Sequence, residues 1–212
     1  VWPQSLFEDG EPLKSDMHAL RPCKDNVNSA RSNKPFNEII NEQTTTWYWQ
    51  AEQTSNIPSS NIDEYSENHA LYFEPREDRK GDIARTIFYF YTMYSDVSDD
   101  NFFEVQKDVL KTWHEQDQVN EEEITRTWQI AIYQQNKPNP FILDETLIGR
   151  AYYYDGFILG DVNDDTVLNV LDVVALVNII LMGDNSIPAG DVNSDGEYNV
   201  MDVVILIEMI LS

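Results

Sequence analysis

A repeat restricts what this chain can fold into more than any other feature. Gly160-Asp161-Val162-Asn163-Asp164-Asp165 recurs thirty residues later as Gly190-Asp191-Val192-Asn193-Ser194-Asp195. Each copy runs into an apolar stretch, residues 170–181 and 200–211. A period of this length means two copies of one loop–helix unit that bury their apolar faces together. Within the second loop Asp191, Asn193 and Asp195 hold positions 1, 3 and 5, Gly196 holds 6, Asn199 holds 9 and Asp202 holds 12. Side-chain oxygens alternating around a glycine turn can surround a hard cation of calcium's size, and a main-chain carbonyl completes the set. The first loop offers Asp161, Asn163, Asp165, Asn169 and Asp172 in register but has Thr166 at position 6. A side chain in that turn costs roughly 1 kcal/mol of strain, so the first Ca²⁺ site is expected to be the weaker. The alternative is a pair of Asp/Asn-rich turns that only cap apolar helices. Two copies with five aligned oxygen residues each favour calcium.

Two D-x-N-x-D-G-x-x-N-x-x-D-like loops, each followed by a helix and neither preceded by one, resemble a dockerin domain over residues 160–212. The resemblance implies an extracellular all-α module that docks onto a cohesin-like or cell-surface partner. Positions 10 and 11, often Ser-Thr in the cellulosomal members, are here Val170-Leu171 and Val200-Met201. That departure bears on the partner and leaves the calcium reading intact. Residues 152–159 form a short join, with a turn expected at Asp155-Gly156.

The formal charge is −24, from 14 basic and 38 acidic residues, which argues against wholesale attraction to nucleic acid. The average hides an asymmetry. Every lysine and arginine lies between Lys14 and Arg150, and five of them (Lys14, Arg21, Lys24, Arg31, Lys34) fall in one short, locally positive segment. A solvated surface patch is the plain reading of such a cluster. Hydrophobic residues make up 42% of the chain, enough for a core, and no apolar run is long enough to span a membrane. The single cysteine, Cys23, leaves the redox compartment undecided.

The first part reads as mixed helix and strand. Residues 44–50, Thr-Thr-Thr-Trp-Tyr-Trp-Gln, suit a strand, and the polar stretch 53–68 with Pro58 reads as loop. Helical spacing marks residues 82–95, 102–115 and 121–135, the last with Asn120 as N-cap and Glu123 placed for a capping box. Trp113 and Trp128 read as core residues. The densest polar run, residues 15–36, combines candidate metal ligands (His18, Asp16 or Asn28) with the guanidinium groups of Arg21 and Arg31. Cation, base and guanidinium are the parts that phosphodiester cleavage needs. A hydrogen-bonded structural His18, with turns around it, fits those residues as well.

Val1-Trp2-Pro3-Gln4-Ser5, Ser15-Asp16-Met17-His18, the run from Val27-Asn28 to Pro35-Phe36, Phe73-Glu74-Pro75, Lys80-Gly81-Asp82-Ile83-Ala84-Arg85 and Asn139-Pro140-Phe141 are similar, in order, to the bacterial endonuclease I family. The resemblance spans residues 1–153. It implies an α+β, mostly helical ββα-metal nuclease domain, ahead of the all-α dockerin-like module with its two calcium loop–helix repeats. It implies a periplasmic or secreted nuclease that cuts DNA, and RNA as a further substrate, without sequence preference. One Mg²⁺ would be bound by the Asn of V-N-x-x-R, here Asn28, and by a Glu whose neighbouring His activates water. That Glu-His pair directly precedes the V-x-P-Q-S stretch in the family, and this sequence starts at Val1. The base and one ligand are therefore expected before Val1, and the chain as written is expected to be inactive by itself. Arg21 and Arg31 are the candidate phosphate contacts, and His18 occupies a different family position from the base. A monomer is expected. The competing reading is a noncatalytic calcium-dependent assembly or adhesion protein with a nuclease-like scaffold. A glycan hydrolase finds no convincing carboxylate pair in residues 1–153.

Overall fold

The computed structural model describes residues 1–7, 10–153, 158–183 and 187–211. The chain divides into two compact units, Val1–Ala151 and Tyr152–Ser212. The turn expected at Asp155-Gly156 lies outside the described residues.

In the first unit, α1 (Asp25–Arg31) is followed by a small antiparallel sheet of β1 (Thr46–Trp49), β2 (Glu52–Thr54), β3 (Ser66–Asn68) and β4 (Phe73–Glu74), in the order β2-β1-β3-β4. Trp47 pairs with Thr54 on one side and Glu67 on the other. All four strands follow α1, so two strands leading into that helix are not seen among the described residues. The stretch expected as loop, residues 53–68, carries parts of β2 and all of β3. These strands lack alternation because β2 is nearly all exposed and β3 buries a polar residue, Glu67, which Thr44 Oγ1 hydrogen-bonds.

Six α-helices follow among the described residues of this unit. The first, α2 (Lys80–Met93), is the core: Ala84, Ile87, Phe88 and Phe90 are all at most 1% exposed. Against it pack α4 (Lys107–Gln116) and the short α6 (Pro140–Leu143). The single helix expected at residues 102–115 is instead two, α3 (Asp100–Glu104) and α4. The break has a local cause. Gln106 is fully buried, and its Nε2 donates to the Phe102 carbonyl at 2.6 Å, the acceptor its own main-chain N–H would use in an unbroken helix. That N–H turns to Phe103 O at 3.1 Å, while Gln106 Oε1 accepts from Phe36 N at 3.0 Å.

The next helix, α5 (Glu121–Tyr133), starts at Asn120, whose side chain accepts from Glu123 N at 3.0 Å. The expected capping box does not close, because the Glu123 carboxylate goes to Arg85. That choice also turns the helix. Its buried face is Glu123, Thr127, Ile130 and Ala131, so Trp128, expected in the core, stands 51% exposed on the other side. Trp113 is fully buried as expected. A last short helix, α7 (Leu147–Tyr152), closes the unit.

In the second unit, α8 (Val170–Met182) and α9 (Val200–Leu211) each follow one loop and pack on each other. Their core is itself duplicated: Val162 and Leu176 from the first copy, Val192 and Leu206 from the second. Gly160 shows how close the copies come. Its φ is +90°, and a Cβ there would lie 2.6 Å from Leu206 Cδ1. Among the described residues no helix is long and apolar enough to cross a membrane.

Candidate nucleic-acid cleft and calcium loops

The first unit contains an open cleft of about 1290 Å³. Arg21, Asn28 and Arg31 line it, joined by Arg76, Arg79 and Arg126. Among the described residues, Asp82 and Glu122 are the acids in its lining. The basic segment seen in the sequence is thus one wall of a larger basic surface, whose other half comes from residues distant in the chain.

Asn28 and Arg31 lie three apart on α1, so both reach the same face. Asn28 is exposed, and its side chain has no hydrogen-bond partner among the described residues. An open amide oxygen on the cleft wall fits one position around Mg²⁺. It does not make a site alone, since the described residues hold no group of three or more His, Cys, Asp or Glu able to bind a metal. Arg31 is buried between aromatic rings, its guanidinium 4.7 Å from the Phe36 centroid and 5.8 Å from that of Phe102. Nη1 donates to Ser32 O at 3.3 Å, while Nε and Nη2, both buried, have no partner among the described residues. Burial pulls its pKa down to about 10. A guanidinium left with idle donors at a cleft wall is poised for an anion.

Arg21 donates to Asp82 Oδ2 at 3.4 Å and to Thr86 Oγ1 at 3.3 Å. His18 is placed otherwise. It is 2% exposed and is not part of the cleft lining. Its Nε2 lies 3.0 Å from Lys137 O, its main-chain N–H donates to Asp16 Oδ1 at 2.9 Å, and burial lowers its pKa below the ordinary value. Asp16 in turn accepts from Tyr89 Oη, Tyr94 Oη and Gln134 Nε2 at 2.8, 2.7 and 3.0 Å. His18 and Asp16 therefore pin residues 15–20 to the helices and so set where Arg21 emerges. Arg76, Arg79 and Arg126 are the cleft residues that sequence reasoning missed. No local pattern marks them, because they reach the cleft from two places far apart in the chain, residues 76–79 and α5.

In the second unit the two loops agree bond for bond. Asp161 accepts from Asp165 N and Thr166 N at 3.1 and 2.8 Å, and Asp191 from Asp195 N and Gly196 N at 3.1 and 2.9 Å. Asn163 and Asn193 Oδ1 accept from Asp165 N and Asp195 N, each at 3.0 Å. Asn169 and Asn199 accept from Leu171 N and Met201 N, each at 2.8 Å, which starts both helices. Asp172 takes Val162 N at 3.0 Å and Asn169 N at 2.8 Å; Asp202 takes Val192 N and Asn199 N, both at 2.9 Å. Asp172 and Asp202 are fully buried and Asp161 is 4% exposed, yet no lysine or arginine follows Arg150. Among the described residues neither loop gathers three carboxylates into a metal-binding group, so the fit rests on buried aspartates and asparagine oxygens, which are the donors a hard divalent cation takes. At position 6 the backbone is left-handed in both loops, φ +67° at Thr166 and +82° at Gly196.

Residues 1–145 match the Endonuclease I family, and residues 159–211 match the dockerin type I domain. The chain belongs to the endonuclease I family. It is similar to the extracellular ribonuclease of Bacillus subtilis (strain 168), 32% identical over 159 residues, which covers 67% of this chain and 49% of that protein. It is also similar to the extracellular ribonuclease of Bacillus amyloliquefaciens, 29% identical over 159 residues, covering 67% and 48%. The chain thus spans about half the length of these curated relatives. No solved structure matches it.

Proposed function

We propose that the protein is an extracellular, Mg²⁺-dependent endonuclease that hydrolyses nucleic-acid phosphodiesters without sequence preference and is tethered through a calcium-binding dockerin-like module. In this reading residues 1–153 form the nuclease domain and residues 160–212 the module. The observation that carries it is the cleft that gathers Asn28 with Arg21, Arg31, Arg76, Arg79 and Arg126 in a protein of net charge −24. Family membership supports the reaction class, and the names of the two relatives support RNA as a substrate beside DNA and a place outside the cell.

Mg²⁺ in such a site polarises the scissile phosphate and lowers the pKa of bound water. Asn28 would hold it as a neutral oxygen ligand. Arg31, with idle donors and a fixed aromatic setting, would stabilise charge as it grows on the phosphate. Arg21 would fix the substrate's backbone, and none of these residues reads a base edge, which is what indifference to sequence requires. In the second unit Asp161, Asn163, Asp165, Asn169 and Asp172 would hold one Ca²⁺, and Asp191, Asn193, Asp195, Asn199 and Asp202 the other. The module would meet a cohesin-like or surface partner once its loops are set.

Cleavage of plasmid DNA and of total RNA across an Mg²⁺ series, by the protein with any residues that precede Val1 included, tests the reading. Asn28→Ala should raise the Mg²⁺ needed for half-maximal rate. Arg31→Ala should lower the rate about 10²-fold or more with the metal requirement unchanged. An absence of cleavage of either polymer at any Mg²⁺, with calcium-dependent partner binding intact, would favour a noncatalytic assembly protein instead.

A further inference from the structure

We infer that Asp82 holds Arg21 and Arg79 side by side as a clamp for a nucleic-acid phosphate, with Arg126 as its third cation, at a subsite separate from Asn28. The inference rests on the nuclease reading above.

One oxygen organises the pair. Asp82 Oδ2 accepts from Arg21 Nη1 at 3.4 Å and from Arg79 Nη1 at 3.0 Å. The anchor is interior and the guanidinium groups are not: the Asp82 side chain is 3% exposed, Arg21 16% and Arg79 37%. Asp82 lies in the first turn of α2 and Arg79 just before it, so the helix start fixes both. Arg21 arrives from a segment 61 residues away. Arg126, from α5, donates through Nη2 to the carbonyls of Met17 and Leu20 at 3.1 and 2.8 Å, and so holds the segment that carries Arg21. Asp82 and all three arginines line the one cleft.

Among the described residues, one buried carboxylate, Asp82, meets the pair closely. Glu123 approaches Arg21 at 3.7 Å, but it is committed to Arg85, which meets its two oxygens at 2.9 and 2.6 Å. Asp78 and Glu122 lie 3.7 and 4.0 Å from Arg79 and are 58% and 78% exposed, so water screens both. Arg21 and Arg79 thus share one buried carboxylate, and Arg126 beside them is held by carbonyls. A network serving only to tie loop to helix would need one arginine there. The surplus, facing a cleft, fits a ligand whose charge repeats along a chain and whose oxygens accept in pairs, which is a phosphodiester backbone. Arginines already held in place lose less freedom on binding than free ones. The clamp's residues come from residues 17–21, the start of α2 and α5, while Asn28 and Arg31 come from α1, so the two places in the cleft can be altered independently.

Binding of labelled 12-nucleotide DNA and RNA to the full chain, in Ca²⁺ without Mg²⁺ and across a salt series, separates the outcomes without cleavage. Arg79→Ala should weaken binding of all sequences alike. It should also reduce the slope of log K against log salt by about 0.7 for single strands. Arg79→Lys should restore that slope. Asp82→Asn is the decisive variant. It removes a negative charge from the cleft, so a purely electrostatic role predicts tighter binding, whereas an organiser predicts looser binding. Tighter binding by Asp82→Asn, or a wild-type slope in Arg79→Ala, overturns the clamp. Arg79 is a surface residue, so its variants keep the test alive if Asp82→Asn does not fold. Failure of the unaltered chain to bind either oligonucleotide would sink the nuclease reading itself. Normal binding with an unaffected Arg79→Ala would sink only the clamp.

Discussion

In the first unit the buried carboxylates of Glu74 and Glu123 face Lys80 and Arg85 at 2.8 and 2.6 Å. In the second, those of Asp161, Asp172 and Asp202 face backbone amides, and the sequence beyond Arg150 contains no lysine or arginine to face them. Burying a carboxylate without a countercharge is strongly unfavourable, and hydrogen bonds from amides offset only part of that. The first unit compensates Glu74 and Glu123 inside its fold with cations, and meets Asp16 and Glu67 with neutral donors. The second leaves that place open to a cation from solution. The two units should therefore answer differently to the same solvent, and a first unit built on internal ion pairs can present a cleft whose surplus charge is cationic while the chain as a whole is strongly acidic.

The largest effect expected is that of removing calcium. In a thermal scan of the full chain, chelator should abolish or greatly lower one transition and leave the other in place. At a free Ca²⁺ a thousandfold above Kd, each site contributes about 4 kcal/mol, more than a unit of this size holds in reserve. Two transitions that both ignore chelator would break the comparison. The converse test acts on the first unit. Arg85→Ala leaves Glu123 buried beside Asp82 with only Arg21, at 3.7 Å, as a cation near it, and should cost about 3 kcal/mol in the calcium-independent transition alone. Replacing both partners, Arg85→Met with Glu123→Leu, should recover most of that loss, because a well-packed apolar pair needs no countercharge. Guanidinium chloride unfolding at constant Ca²⁺ measures both.

Legibility in the sequence follows the same division. The calcium loops could be read because all five oxygen residues of a site fall within twelve consecutive positions and the pattern occurs twice. Helices α8 and α9 followed from their apolar runs. In the first unit the deciding contacts join distant residues: Gln134 to Asp16 across 118 positions, Arg21 to Asp82 across 61. The misread elements share that cause. Gln106 leaves the helix pattern to serve Phe36, and Glu123 turns α5 by choosing Arg85 over its cap, which puts Trp128 outside. Glu67 buries a carboxylate where a strand pattern would show an apolar side chain. Periodicity assumes that apolar residues face inward, and this unit's interior is in large part polar and paired. Asn28 and Arg31 were legible because one turn of α1 carries both. Arg79 and Arg126 become cleft residues only through tertiary structure.

The smallest effect expected lies within the second unit, between loops whose bonds from positions 5 and 6 to the first aspartate agree to about 0.1 Å. They differ at position 6, where Thr166 and Gly196 both take a left-handed backbone, φ +67° and +82°. A β-branched residue strains there and a glycine does not, a difference of about 1 kcal/mol. Thr166→Gly should therefore tighten the first site about fivefold, and Gly196→Thr should weaken the second by a similar factor, with the other site unchanged in each case. Both residues donate the same bond, Thr166 N to Asp161 Oδ2 at 2.8 Å and Gly196 N to Asp191 Oδ2 at 2.9 Å, so neither substitution removes a ligand or a donor. Calorimetric Ca²⁺ titration resolves the two sites. If Thr166→Gly loosened the first site, freedom of the ion-free loop would outweigh strain in the bound one, and the two loops would differ in flexibility instead of in fit.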